Sequence, residues 1–210
     1  MNSTISLIGA PTDIGAGSRG ASMGPEALRV ANIVSVLQSH GLEVQDRGNL
    51  NGPHNPWLPP VDGYRHLAQV AAWNQTVFDA VYAELQQNRL PILLGGDHCL
   101  GLGSISAVAR HCRDSGKKLR VLWLDAHADF NTSTLTPSGN LHGMPLACLC
   151  GYGPEVLTRI GGQVPLMKVK NVWCMRPDWK SLTCVTSTRW ACAPPWNWRS
   201  PWSTPIPTCM

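Results

Sequence analysis

The chain has 210 residues, of which 43% are hydrophobic and 14% charged, with a formal net charge of +4. That length suits one domain with a sizeable core. The low charge and a mean hydropathy of −0.09 exclude disorder as the main state. No apolar run approaches about 18 residues, so no membrane-spanning helix is expected, and Met1-Asn2-Ser3-Thr4 lacks the basic and apolar regions of a leader. A cytosolic protein is the expectation. Residues 1–170 hold 13 Lys and Arg against 12 Asp and Glu. A body so near neutrality gives no electrostatic case for nucleic acid or a membrane surface.

Ile5 to Ala10 reads as a short apolar strand. Pro25 to His40 reads as one helix, with proline in the first turn and Gly41 as the stop. Leu42 to Asp46 is a second strand, and Asn51 to Pro60, with four prolines, is a loop. Tyr64 to Asn88 is the longest helix, its buried stripe running through Leu67, Val70, Ala71, Val77, Phe78, Val81, Tyr82 and Leu85. Pro91 to Leu94 is a strand stopped by Gly95-Gly96, and Ser104 to Arg113 is helical. Leu119 to Leu124 is a further strand, Met144–Cys150 and Pro154–Ile160 are short helices, and Asn171-Val172 looks like the start of the next strand. Strands alternating with helices give an α/β class with a mostly parallel sheet. Continuous apolar strand runs imply helices on both faces of that sheet. The body cysteines offer no disulfide framework and read as small buried apolar residues.

Ligands of open α/β sheets gather beyond the carboxyl ends of the strands. Two such ends carry chemistry here. The first is Gly95-Gly96-Asp97-His98, where the glycines permit a sharp turn and His98 falls at the rim; Asp97 reads either as a group orienting a ligand or as a helix cap. The second is Asp125-Ala126-His127-Ala128-Asp129. On extended backbone, side chains two apart share a face, so carboxylate, imidazole and carboxylate would converge. Such a group is costly to desolvate unless a divalent cation compensates, and nitrogen and oxygen ligands without thiolate suit Mn, Zn, Fe or Co. A third piece, Ser138-Gly139-Asn140-Leu141-His142-Gly143, could hang His142 over the site as an acid or base, or form an ordinary turn.

These three motifs in this order resemble the ureohydrolases, and arginase most closely. The opening, Gly9-Ala10-Pro11 with Ser18-Arg19-Gly20-Ala21 and Gly24-Pro25, is similar to an arginase start. The resemblance covers about residues 4–170. It implies a three-layer α/β fold, two Mn2+ ions, and hydrolysis of L-arginine to L-ornithine and urea. By motif, His98 and Asp129 would ligate one metal, His127 the other, and Asp125 would bridge both. His142 matches the proton-shuttle position, a role within the range of imidazole. Asn131 and Ser138 match positions that bind the α-carboxylate of the substrate. The Ser-Gly-Asn-Leu-His-Gly stretch favours arginase over agmatinase. Family members are oligomeric, but much of that contact comes from parts absent here, which leaves assembly open.

The resemblance stops after residue 170. Family members carry a later Asp-x-Asp pair that completes both metals and a later Glu near the guanidinium; here the sole acid after Glu155 is Asp178. The last 40 residues hold none of the 20 glycines, six of the nine Trp and half of the Cys. The reading drawn is a catalytic domain at 1–170 and a frame-shifted, disordered tail at 171–210. With the late carboxylates missing, metal binding should weaken by kilocalories rather than tenths. The expectation is an incomplete arginase of very low activity, with another ureohydrolase or an inactive binding fragment as the alternatives.

Overall fold

The computed structural model describes residues 4–162, 164–167, 172–175 and 182–184; for the last two segments only backbone pairing is described. The first half-sheet is β1 (Ile5–Ala10) at the centre, flanked by β2 (Val44–Asn49) and β3 (Leu90–Gly95), all parallel. All six residues of β1 are buried, as its apolar sequence requires of a central strand. Ile5 and Leu7, with Leu94 of β3, meet Ile33, Val34 and Leu37 on one face. Ile8 and Ala10 point the other way, into the main core with Val70, Val77, Val81, Leu100 and Leu102. This period-two division is the ordinary pleat of a strand covered on both sides.

The predicted helix over 25–40 is two helices, α1 (Gly24–Val30) and α2 (Ile33–Ser39). Asn32 between them is left-handed, with φ 61°, and that conformation ends an α-helix. Asparagine is one of the few side chains that tolerates it. The longest helix, α3 (Leu67–Gln86), buries Val70, Ala71, Val77 and Val81 as expected. It also buries Trp73, Asn74 and Glu84, which the apolar stripe did not mark. Glu84 ties the half-sheet together: Ser6 Oγ of β1 donates to it at 2.6 Å, Arg47 of β2 at 3.1 Å, and Arg89, just before β3, at 2.9 Å. Asn74 joins α3 to α4 (Gly101–Asp114). Its Oδ1 accepts the Gly103 amide at 2.7 Å, and a Cβ at Gly103 would collide with the Asn74 carbonyl. Glycine is thus what lets the two helices approach.

The second half-sheet is β4 (Val121–Leu124), parallel to β5 (Val172–Met175), which pairs antiparallel with β6 (Leu182–Cys184). The expected strand start at 171–172 is β5; β6 had no sequence signal. The rest of 171–210 lies outside the described residues. No pairing joins β3 to β4 among the described strands. Among the described residues, the cover expected on both faces is found over β1, whereas β4 is covered on one: Val121 and Trp123 are buried, while Leu122 and Leu124 are 58% and 67% exposed. Short helices α5 (Pro145–Leu149) and α6 (Glu155–Thr158) close the core. No described helix is long and apolar enough to cross a membrane. Cys99, Cys148 and Cys150 are buried, and burial pushes the Cys148 thiol up to about 12, in keeping with a packing role.

Candidate metal centre

The site forms where the carboxyl ends of β3 and β4 converge. After β3 the chain turns at Gly96, whose φ is +94° and where a Cβ would strike the Ala10 carbonyl. That close passage requires glycine. Asp97 then caps the 3-10 turn His98–Leu100, accepting the Cys99 amide at 2.8 Å. Of its two readings, the cap is the one seen. Burial raises its pKa, opposed by its Cys99 hydrogen bonds and by the nearby His142 and His98.

His98 meets both carboxylates of the second motif. Its Nδ1 lies 2.8 Å from Asp129 Oδ2 and 3.3 Å from Asp125 Oδ2. One ligand atom from each of the three residues falls within 4.8 Å of the others. Hydrogen bonding to Asp129 raises the His98 pKa first; burial opposes it, and the charges of Asp129, Asp125 and Asp97 add to it. The His98 ring also stacks on Trp123 of β4, centroids 5.0 Å apart, which fixes its plane.

The convergence is reached differently from the extended arrangement expected. Residues 125–129 are not a strand: Asp125 Oδ1 accepts the His127 amide at 2.7 Å, and Asp129 is left-handed at φ 48°. An Asx turn and an αL residue, both natural to aspartate, fold the run back on itself. As a result His127 does not join the three-residue group. Its side chain is 83% exposed, with Nδ1 3.4 Å from Asp125 Oδ1. Asp125 therefore has Oδ2 toward His98 and Oδ1 toward His127.

The donor set fits a divalent cation. Asp129 Oδ2 is buried without a hydrogen bond of good geometry, although His98 Nδ1 is close. A buried carboxylate oxygen whose close neighbours are one imidazole and a second carboxylate is unfavourable unless a positive charge is held among them. His98, Asp125 and Asp129 would hold one ion, and Asp125 with His127 would begin a second site.

A cavity of about 560 Å³ opens beside this group, within the range of small-molecule sites. His98, His127, Asp129, Asn131 and His142 line it. Ser138 is exposed and does not; its Oγ accepts the Asn140 amide at 3.3 Å. His142 is set by its amide, which donates to the Gly15 carbonyl at 3.2 Å. Arg65 holds the same loop: its Nε donates to Asn140 Oδ1 at 2.9 Å, and its amide to the Gly139 carbonyl at 2.8 Å. Sequence reasoning missed Arg65, since a lone arginine before a helix carries no signal of its own. It also missed the ring contact of Trp123, which reads simply as strand core.

Residues 3–175 match the Arginase family profile. The chain is 42% identical to the arginase of Brevibacillus brevis over 174 residues, covering 82% of this chain and 56% of that protein. It is 40% identical to the arginase of Bacillus caldovelox over 170 residues, 80% of this chain and 56% of that protein. In structure it is similar to native B. caldovelox arginase, with TM-score 0.76 and 38% identity, covering 82% of this chain and 57% of the other. An Entamoeba histolytica arginase in complex with L-ornithine gives TM-score 0.73 at 33% identity, covering 81% and 57%. The chain thus spans little more than half the length of the relatives it matches. On the strength of both sequence and structure, this chain belongs to the arginase family.

Proposed function

We propose that residues 1–170 are the metal-binding part of an arginase-type ureohydrolase acting on L-arginine with Mn2+ as cofactor. The observation that carries this reading is the meeting of His98, Asp125 and Asp129 beside a cavity that His98 and Asp129 line. Bound there, a pair of divalent cations would supply water activated at neutral pH. The residues of the chain do the remainder. His98 and Asp129 fix one ligand set, with Asp125 shared toward His127. His142, on its 3-10 turn in the cavity wall, would pass a proton to a departing amine. Asn131, also in the wall, would hold the amino-acid end of the substrate. Ser138 belongs with it in this reading but would have to turn inward from its exposed position.

For these 210 residues taken alone, activity is expected to be far below that of the full-length arginases they resemble. Asp125 and Asp129 supply two negative charges against the four positive charges of two ions, and Asp178 is the sole acid after Glu155. That deficit favours a second reading, metal binding without turnover. The segment 171–210 is proposed to be a frame-shifted replacement, which the coding DNA tests: another frame should encode an Asp-x-Asp-bearing continuation.

The function is tested with purified 210-residue protein. Manganese per chain is measured by elemental analysis and EPR, and urea release is assayed from L-arginine and agmatine. Retention of manganese that Asp129→Ala and His98→Ala abolish, with slow urea release from L-arginine in preference to agmatine, supports the proposal. Manganese held without turnover supports the second reading. Manganese binding unaffected by either substitution overturns the metal assignment.

A further inference from the structure

We propose that a second cavity, beyond the carboxyl ends of β1 and β2, is a binding site for a free α-amino acid with an apolar side chain, its ammonium against Asp13 and its carboxylate against Arg19. The site stands apart from the metal group, since the two cavities share no lining residue.

The cavity holds about 360 Å³, at the small end of the range for ligand sites. Trp73 of α3 and the loop after β2 build one wall. The buried Trp73 ring donates from Nε1 to the Pro53 carbonyl at 2.9 Å, and Gly52 lies so close to the indole that a Cβ there would strike it. Leu50, Pro53 and Trp57 add apolar surface. Asp13 is the anion of the cavity and is nine-tenths buried. Its carboxylate partners among the described residues are all neutral and all distant. The Gly20 amide lies 3.4 Å and the Ser22 hydroxyl 3.5 Å from Oδ2, and the Asn55 side-chain amide donates to Oδ1 at 3.4 Å. Charge-assisted bonds to a carboxylate are ordinarily about 2.7–2.9 Å. Glu84, as deeply buried, shows the contrast: Ser6, Arg47 and Arg89 reach it at 2.6, 3.1 and 2.9 Å.

A buried carboxylate with partners this weak is costly, and a ligand ammonium relieves that cost. Arg19 supplies the opposite charge at the same cavity. It is exposed, and its guanidinium carbon rests 5.1 Å from the centroid of the Trp57 ring. Asn55 ties the two sides together: its Nδ2 donates to the Asp13 carbonyl at 3.0 Å, and its Oδ1 accepts the Trp57 amide at 3.0 Å. The cavity is thus lined by an acid and a base whose contacts are with other groups. That pair matches a molecule carrying both charges. An α-amino acid bears them on a single carbon, whereas a diamine answers Asp13 alone and a dicarboxylate Arg19 alone. The surface of Leu50, Pro53 and Trp57 then takes the side chain.

The test titrates the full 210-residue chain with L-leucine, L-leucine methyl ester and N-acetyl-L-leucine, by calorimetry and saturation-transfer NMR. EDTA is present throughout, so the result is independent of metal binding and turnover. L-leucine should bind. The acetylated form, which lacks the ammonium, should bind at least about tenfold more weakly, as should the ester, which lacks the carboxylate. Arg19→Gln should bring L-leucine down to the level of the ester and leave the ester itself unchanged. Asp13→Asn should weaken L-leucine and the ester alike. Should that variant fail to fold by thermal melting, the two analogues and the exposed Arg19 still decide the matter. Asn131→Ala, in the wall of the other cavity, should change nothing. The proposal is overturned if L-leucine does not bind at about 10 mM, if the acetylated form binds as well, if Arg19→Gln has no effect, or if Asn131→Ala abolishes binding.

Discussion

Two strands of the molecule, β1 and β4, are both apolar and are covered to different degrees among the described residues. Ile-Ser-Leu-Ile-Gly-Ala of β1 lies wholly buried between α2 on one side and α3 on the other. Val-Leu-Trp-Leu of β4 alternates, two residues covered and two bare. The contrast is in the neighbours and not in the strands themselves. An apolar strand records the environment it is suited to, and among the described residues that environment is complete around β1 and half complete around β4. It follows that the same class of substitution should have opposite weight in the two regions.

The largest effect is expected at Leu7. It is fully buried against the α2 side of the sheet, and Leu7→Ala should cost about 3 kcal/mol or more through lost burial and a residual cavity. Leu124→Ala, at a residue two-thirds exposed, should change unfolding free energy by less than about 0.5 kcal/mol. Urea unfolding followed by fluorescence compares them directly, and equal losses would erase the distinction between the half-sheets. Next is Glu84, whose carboxylate takes Ser6, Arg47 and Arg89 and so binds α3 to the edges of all three strands. Glu84→Ala should cost about 2 kcal/mol, below the figure for a fully buried pair because both arginines keep some solvent. Glu84→Gln should recover part of this, since the amide still accepts from Ser6. A null effect of Glu84→Ala would assign the tie to packing alone.

The first half-sheet was also the more legible in the sequence. The bounds of β1 follow from its apolar run, and α3 from its periodicity, because each burial pattern is local. The break at Asn32 was not legible: Val30 to Val36 keeps a helical pattern through it, and the left-handed residue costs too little in an asparagine to leave a mark. At the site, the identities of His98, Asp125, His127 and Asp129 were visible as motifs, but their arrangement was not. Reading 125–129 as extended put His127 with the aspartates, whereas the Asx turn at Asp125 and the αL backbone of Asp129 swing it outward. The meeting of His98 with Asp129 is a tertiary contact between two strand ends, which no local pattern contains. Arg65 lies further still from any motif, reaching the His142 loop through Asn140.

A third effect tests how α3 is keyed to α4, whose Leu102 and Ala107 share the main core with Trp123 of β4. Gly103→Val places branched carbon where the Asn74 carbonyl sits and threatens the 2.7 Å bond from the Gly103 amide to Asn74 Oδ1. Overpacking of this kind costs about 1–3 kcal/mol. Because buried residues of α4 belong to the same core cluster as Trp123 and as α3, the loss should accelerate hydrogen exchange in β4 along with α3. Exchange that quickens in α3 alone would mean that the half-sheets do not share this support.

The smallest effect is electrostatic and confined to the half-sheet of β1. Arg29 of α1 forks onto Asp46 of β2, Nε to Oδ2 at 2.7 Å and Nη2 to Oδ1 at 2.9 Å, with Nη1 reaching Glu26 at 2.7 Å. The Arg29 hydrogen bonds hold the Asp46 carboxyl below the usual carboxylate range, against a smaller opposing push from burial. A carboxylate whose pKa falls on folding stabilises the native state above its unfolded pKa, and that contribution is lost as pH drops through the folded value. The pair should therefore add its full share at neutral pH and fade below about pH 4. Partial exposure of both side chains limits the share to about 1 kcal/mol. Thermal melts of the native chain and Arg29→Met should differ by a constant amount from about pH 5 to 7 and converge on acidification. A gap that persists to pH 3 would mean that the guanidinium acts by packing its stem on β2, and the α1–β2 contact would then owe its stability to the same kind of burial that surrounds β1.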